Sequence, residues 1–258
     1  MDIRYAKIRQ SAFSENLPLD QELVECVREE PSHSFLMNPA GQNVYLYLTH
    51  LVKLLSEHHF GRDISQLQIL DWGCGKGHVT YLLSRMGATP VSCDASGVPE
   101  SSFGHETPIL DQYRIQVEEL NHEYELPFAS GSIDVALSFG VLEHVPRDLD
   151  SLLQLHRVLR SGGLLFCFNL PYTFSWTQRL AHARGQFYHD RLYSKTRVRE
   201  LLDASDFKLL DLWHRQLLPK NNVRYRRYRL FETIDQFLTE HTPLRYFATN
   251  IEWIATKE

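Results

Sequence analysis

Cysteine is scarce in this chain of 258 residues: four in all, Cys26, Cys74, Cys93 and Cys167, with no C-x-x-C pair and no Cys/His spacing of the zinc type. A disulfide framework and a zinc ribbon are therefore excluded. Three of the four sit in apolar or glycine-rich runs that read as buried strands and turns, which fits a reduced, cytoplasmic compartment. Long hydrophobic runs are missing too. No stretch nears the roughly 18 apolar residues of a membrane span, and the opening Met-Asp-Ile-Arg-Tyr-Ala-Lys has an early acid and no apolar core, unlike a secretory signal. Positive charge is not in excess: 27 Lys and Arg against 32 Asp and Glu give a formal net charge of -5. That argues against a surface that grips nucleic acid or an anionic membrane all over, and leaves a local basic patch open. Repeats and low-complexity tracts are absent. With 43% hydrophobic and 23% charged residues, the composition is that of an ordinary globular chain long enough for one α/β domain with additions.

What is present is a repeating alternation of short apolar runs and amphipathic stretches. Gly41 to Phe60 reads as a helix with a broad apolar stripe, stopped by Gly61. Leu67–Trp72 is a short apolar run ending in an acid and a glycine cluster, the mark of a buried parallel strand feeding a tight turn. A helix over His78–Met86, closed by Gly87, and a strand over Pro90–Asp94 follow. Alternation of Tyr113, Ile115 and Val117 predicts a third strand, preceded by a helix that is short or replaced by a loop. Ile133–Phe139 is a fourth strand, Leu149–Leu159 a helix stopped by Gly162 and Gly163, and Leu164–Phe168 a fifth strand. Beyond residue 171, Thr196–Leu202 looks helical, and Phe207–Trp213 and Ile251–Thr256 look like the last two strands. Between those two lies an excursion of about residues 217 to 245 with a helix at Phe231–Thr239. The expected fold is α/β: a doubly wound, seven-stranded, mostly parallel sheet. Residues 1–60 form an N-terminal helical cap on a core of 61–258, with the excursion as a mobile lid inserted into an antiparallel edge pair.

The chemistry begins at Asp71-Trp-Gly73-Cys74-Gly75-Lys-Gly77. Glycines allow the tight turn and close backbone approach to a ligand, and the following helix aims its first amides at the same place. A dinucleotide fingerprint requires glycine at position 78, where this chain has His78. The G-x-G-x-G spacing after an apolar strand instead resembles the first motif of class I S-adenosylmethionine-dependent methyltransferases, whose turn holds the amino-acid end of the cofactor. Three further stretches carry the resemblance. Asp94 ends the next strand, where an acid can accept both ribose hydroxyls, with Ala95 beside it. Leu126-Pro-Phe128, Ile133-Asp-Val135 and Gly140-Val-Leu-Glu-His144-Val resemble the group containing the ubiquinone and menaquinone methyltransferases and many sugar O-methyltransferases. So does Arg157-Val-Leu-Arg-Ser-Gly162-Gly163, with Ser161 in place of the usual proline. The resemblance covers about residues 65 to 170 and implies S-adenosylmethionine as cofactor, held by Asp71, Gly73, Cys74, Gly75, Gly77, Asp94, Ala95 and Ser138. The family usually has an aspartate four residues before the leucine of L-P-F, touching the adenine amino group. This chain has His122 there, with Glu123 beside it as the alternative contact.

Methyl transfer to a hydroxyl needs a base, and His144, just past the fourth strand at the edge where such sheets bind ligands, is the leading candidate. The alternative is that it packs over the cofactor or caps the helix beginning near Pro146. His189 is the second candidate base, and Tyr193 in the same segment would line the acceptor pocket. Tyr45 and Tyr47 close the cofactor pocket or belong to the core. Asn169-Leu-Pro-Tyr172 matches a signature of adenine N6 methyltransferases, in which the amine is held and the base stacked. That signature belongs after the fourth strand and here follows the fifth, so Asn169 and Tyr172 are read only as lining the acceptor pocket. The run Lys220 to Arg229, basic and tyrosine-rich, contacts phosphate, contacts a membrane surface, or is a solvated face. No carboxylate cluster follows the fourth strand, so no metal is expected. The reading is methyl transfer to an oxygen of a small-molecule acceptor: a sugar, a polysaccharide end or a quinone-like ring. RNA or protein methylation through the basic run, or a non-catalytic cofactor-binding module, are the competing readings.

Overall fold

The computed structural model describes residues 3–15, 17–30, 33–95, 108–122, 124–186, 189, 191–219 and 227–258. In chain order the elements are α1 (Ile3–Ser14), α2 (Gln21–Cys26), α3 (Ser34–Met37), α4 (Pro39–Phe60), β1 (Ile69–Trp72), α5 (His78–Arg85), β2 (Val91–Ala95), α6 (Pro108–Tyr113) and β3 (Val117–Leu120). There follow β4 (Ile133–Phe139), α7 (Asp148–Val158), β5 (Leu159–Pro171), α8 (Trp176–Ala183), α9 (Lys195–Ala204), β6 (Phe207–Arg215), α10 (Tyr228–His241) and β7 (Asn250–Lys257). The strands form one seven-stranded sheet in the order β3-β2-β1-β4-β5-β7-β6. All pairs are parallel except those made by β7, which runs antiparallel to both β5 and β6. This is the doubly wound, mostly parallel architecture the alternation predicts.

Strand residues divide by parity between two cores. Val135, Leu137, Phe166 and Phe168 face α1, α4 and α5, while Ala136, Leu165 and Cys167 face α7 and α9. The strands are apolar on both faces because helices cover both. α4 starts where its caps dictate: the Asn38 side chain accepts from the Ala40 amide, Pro39 takes the first turn, and Gly61 ends the helix with φ +61°.

Two local expectations need correction. Tyr113 and Ile115 are not in the third strand. Arg114 is left-handed at φ +53° and terminates α6, so the alternation read there straddles a helix end, and β3 begins at Val117. α7 stops at Val158, ahead of the glycines, because Leu159 already pairs with Ile133. Gly162 and Gly163 instead shape a bulge inside β5: Gly162 has φ +76°, and a Cβ on Gly163 would lie 2.8 Å from the Arg160 carbonyl. The arginine of the R-V-L run has a structural task, since the Arg157 guanidinium donates to the carbonyls of Leu126 (2.7 Å) and Phe128 (2.8 Å). It thereby clips the L-P-F turn to α7.

The described part of the excursion between β6 and β7 is fastened to the N-terminal helices. Arg9 of α1 pairs with Glu240 (2.8 Å) and Asp211 (3.1 Å), Asn43 of α4 donates to Glu232, and Asp235 accepts the amides of Leu217 and Leu218. Residues 220–226, which hold most of the basic run, lie outside the described residues.

Candidate active site

At the carboxyl ends of β1, β2 and β4 the chain leaves an open cleft of about 330 Å³. Its floor is the glycine turn. Gly73, Gly75 and Gly77 have φ of +70°, +49° and +75°, a region that disfavours side chains. A Cβ on Gly73 would lie 2.5 Å from Val141, and one on Gly77 2.2 Å from Leu110. The turn is tied to the neighbouring strand by the Gly73 and Cys74 amides, both donating to the Cys93 carbonyl. α5 then starts at His78, with its first amides at the cleft floor.

Asp94 accepts the Gly75 amide (2.5 Å) and the Ala95 amide (2.7 Å), one on each carboxylate oxygen. The carboxylate stands on the wall of the cleft, at the end of β2. Asp71 is anchored differently: Thr80 donates to it at 2.7 Å, and burial pushes its pKa up to about 6. The Cys74 thiol is buried and pushed up by burial, so it is a packing group rather than a nucleophile. His78 sits on the wall with Tyr45 (ring centroids 4.4 Å) and Phe35 (5.4 Å) against it. Its ring nitrogens have no hydrogen-bond partner among the described residues, and burial holds its pKa down at about 3. Tyr45 thus packs against His78 and the core behind this wall and does not itself line the cleft. Tyr47 instead packs on Phe13.

On the β4 side the wall is Phe139, Gly140, Val141, His144, Val145 and Pro146. His144 is placed by a braced loop. Its amide donates to Val141 (2.9 Å), the Tyr193 hydroxyl donates to the Leu142 carbonyl (3.0 Å), and Arg191 donates to the carbonyls of Val145 and Pro146. The same Arg191 segment brings His189 beside His144, with ring centroids 5.2 Å apart, and the Gln178 side chain accepts the His189 amide. Glu143 lies below, its Oε1 4.0 Å from His144 Nε2; burial pushes its pKa up to about 8. Glu143, His144 and His189 together offer ligand atoms within 4.8 Å of one another.

The predicted residues thus divide. Asp71, Gly73, Cys74, Gly75, Asp94, Ala95 and His144 line the cleft, Gly77 closes its turn, and His189 adjoins His144. Ser138 is buried at the end of β4, paired in register with Cys167 of β5, and its side chain hydrogen-bonds with the Cys167 thiol rather than lining the cleft. Glu123 lies outside the described residues. Tyr193, 1% exposed, braces the His144 loop from below. Tyr172 is buried against His214 (4.7 Å) and bridges to Tyr193. Asn169, at φ +61°, is held by two groups: its side-chain oxygen accepts from Arg215 and its amide donates to Glu252 at 2.7 Å. Arg215 and Glu252 (2.5 Å), like Arg191, escaped the sequence reading, because their partners are 37 or more residues away. Lys76 and Phe35 also line the cleft. Lys76 stands inside the glycine turn, where its position alone was a signal.

The donor set fits one class of ligand: a turn of left-handed glycines, a helix start beyond it, and a carboxylate at the next strand end. Fold and site define a class I S-adenosylmethionine-dependent methyltransferase domain, with S-adenosylmethionine as its cofactor. Residues 70–167 match the family described as methyltransferase domain. Within that class the sequence is similar to the mitochondrial ubiquinone biosynthesis O-methyltransferase of Mus musculus, 31% identical over 146 residues, 55% of this chain and 38% of that protein. The chain spans less than half the length of the curated relatives it matches. In fold it is similar to a SAM-dependent methyltransferase from Thermotoga maritima, with TM-score 0.54 and 14% identity, covering 92% of this chain and 100% of the other. It also resembles the 1,6-didemethyltoxoflavin-N1-methyltransferase of Burkholderia thailandensis, solved with S-adenosylhomocysteine (TM-score 0.50, 18% identity, 94% and 93% covered).

Proposed function

We propose that this chain transfers a methyl group to a hydroxyl oxygen of a small-molecule acceptor of the quinone-like or sugar kind, with His144 as the base. The observation that carries the reading is His144 on the β4 wall of the cofactor cleft with His189 beside it. When bound, S-adenosylmethionine supplies a methyl carbon activated by a sulfonium. The protein's part is alignment, which can supply roughly 7–11 kcal/mol of the barrier. A ring nitrogen of His144 takes the hydroxyl proton, and His189, beside it, helps hold the acceptor. Phe139, Val141, Val145 and Pro146 keep water from the reacting face. Similarity to ubiquinone biosynthesis O-methyltransferases favours a quinone-like ring over a sugar.

Release of S-adenosylhomocysteine, screened against quinol, sugar-nucleotide, RNA and protein pools, tests the acceptor. Turnover with quinols carrying adjacent hydroxyls is expected, and turnover with RNA or protein alone would overturn the reading. His144→Ala should lower kcat by about 10²–10⁴ and leave calorimetric cofactor affinity nearly unchanged. Near-normal kcat with poor affinity would make His144 a packing residue and leave His189 as the base to test.

A second reading has its own observation, the grouping of Glu143, His144 and His189. A divalent cation there would take the acceptor oxygen as a ligand and ease its ionisation directly. Burial raises the Glu143 pKa, so a cation there would have to displace the carboxyl proton as it binds. Activity that survives a chelator supports the histidine base. Loss restored by magnesium assigns the three residues to a cation.

A further inference from the structure

α10 is built with its polarity inverted. The side it turns to the protein is polar: Glu232, Asp235 and Thr239 are buried. The side it turns to solvent is apolar. Leu230, Ile234 and Phe237, spaced four and three apart, are 55%, 46% and 59% exposed. The turn that follows, Pro243–Phe247, adds Leu244, Tyr246 and Phe247 at 45–48%. A surface helix of a globular protein ordinarily shows the opposite arrangement. Large apolar side chains scattered singly on a surface need no explanation, but six of them within residues 230–247 do.

The charges on the same stretch say what covers it. Its exposed charged ends are basic: Arg227 and Arg229 at the start, with Arg245 half-buried after the helix. Its three acids, Glu232, Asp235 and Glu240, face inward, the last onto Arg9. A second copy laid on this face would bring arginines together with no outward acid from the stretch to answer them. A nucleic acid would answer the arginines and leave the apolar side chains in water. An anionic bilayer surface satisfies both. Position agrees: β6 and β7, which flank the insertion, meet at Arg215 and Asn250, and Asn250 also pairs with Pro171 at the carboxyl edge of the sheet. That is the edge on which the cleft opens.

We propose that α10 and the turn after it are a docking surface for an anionic lipid bilayer. Leu230, Ile234 and Phe237 sit among the acyl boundary, and Arg227, Arg229 and Arg245 lie at the phosphates. The cleft edge then faces the lipid, and an acceptor dissolved there reaches the site without crossing water. The surface is independent of which acceptor the site uses.

Sedimentation of the full chain with vesicles of phosphatidylcholine alone, or of equal parts phosphatidylcholine and phosphatidylglycerol, tests this. Binding to the anionic vesicles only is expected, weakening with salt. Arg227→Gln and Arg229→Gln should each weaken it by about fivefold. Ile234→Glu with Phe237→Glu should abolish it while thermal melting and cofactor affinity stay those of the wild type, since both side chains are exposed. Failure of the wild type to bind, or equal binding by wild type and double variant, would overturn the proposal. So would a wild-type dimer that the double variant dissolves, which would assign the face to a second copy.

Discussion

His78 is a side chain whose cost can be read directly. Its ring is wedged edge-on against Tyr45 and Phe35, and neither nitrogen finds a hydrogen-bond partner among the described residues. It stays neutral when folded, with its pKa held at about 3 by burial, against 6.5 ordinarily. The unfolded chain gains a proton here below pH 6.5 and the folded chain does not. Its contribution to stability is therefore complete above pH 6.5 and is lost as the pH falls towards 3. His78→Phe keeps the aromatic contacts without the titrating nitrogens. In thermal and denaturant melts of the ligand-free protein, the variant should gain on the wild type by up to about 1.4 kcal/mol per pH unit below 6.5. A difference between the two that does not vary with pH would contradict this account. The Glu143 carboxyl is perturbed in the opposite sense: burial raises its pKa to about 8, which disfavours its anionic form beside His144.

At the scale of elements, the loop from Val141 to Pro146 follows β4 with few contacts of its own kind. Its shape comes from outside, from Tyr193 beneath Leu142 and Arg191 on the Val145 and Pro146 carbonyls. Arg191 is therefore a positioning residue for His144. Arg191→Met should destabilise the fold by about 1.5–3 kcal/mol and lower kcat, and combining it with His144→Ala should add little to the single loss. Strictly additive effects of the two substitutions on kcat would show that Arg191 does not act through His144. β4 and the helices read at Gly41–Phe60 and Thr196–Leu202 were legible because an apolar run or stripe is a local signal; their starts, capped by Asn38 and Ser194, were not read. The third strand was misplaced because Tyr113 and Ile115 alternate in sequence, yet a single left-handed residue, Arg114, separates a helix from the strand.

For the whole molecule, the cofactor site is shared among three strand ends and is complete only when the sheet is formed. S-adenosylmethionine should therefore bind the folded chain alone and stabilise it by mass action. At about a hundred times its dissociation constant the gain is about 2.7 kcal/mol, a rise of roughly 5–10 °C in Tm for a chain of this size. Scanning fluorimetry should show that rise in the wild type and little of it in Asp94→Ala or Gly75→Arg. An equal rise with NAD in place of S-adenosylmethionine would show the glycine turn to be misread.

The chain's own order of residues was enough for the fold class and for the glycine-turn side of the cleft. The glycine turn, Asp94 and the strand that joins them lie within 24 residues of one another (71–94), and each carries a local backbone or carboxylate signal. Hydrophobic periodicity likewise marked the doubly wound alternation, because burial on both sheet faces leaves its trace in every strand. The His144 side of the cleft was decided by tertiary structure. Glu143 and His144 meet His189 from another part of the chain, while Tyr172 and Tyr193, polar tips on aromatic bodies, turn out to be buried braces. α10 makes the same point in reverse. Its sequence announces an amphipathic helix but not which face is outward, and that was settled by Arg9, Asn43 and the amides of Leu217 and Leu218, which hold its polar side against the protein. A periodic pattern specifies that two faces differ; only the partners waiting in the folded chain determine which one meets water.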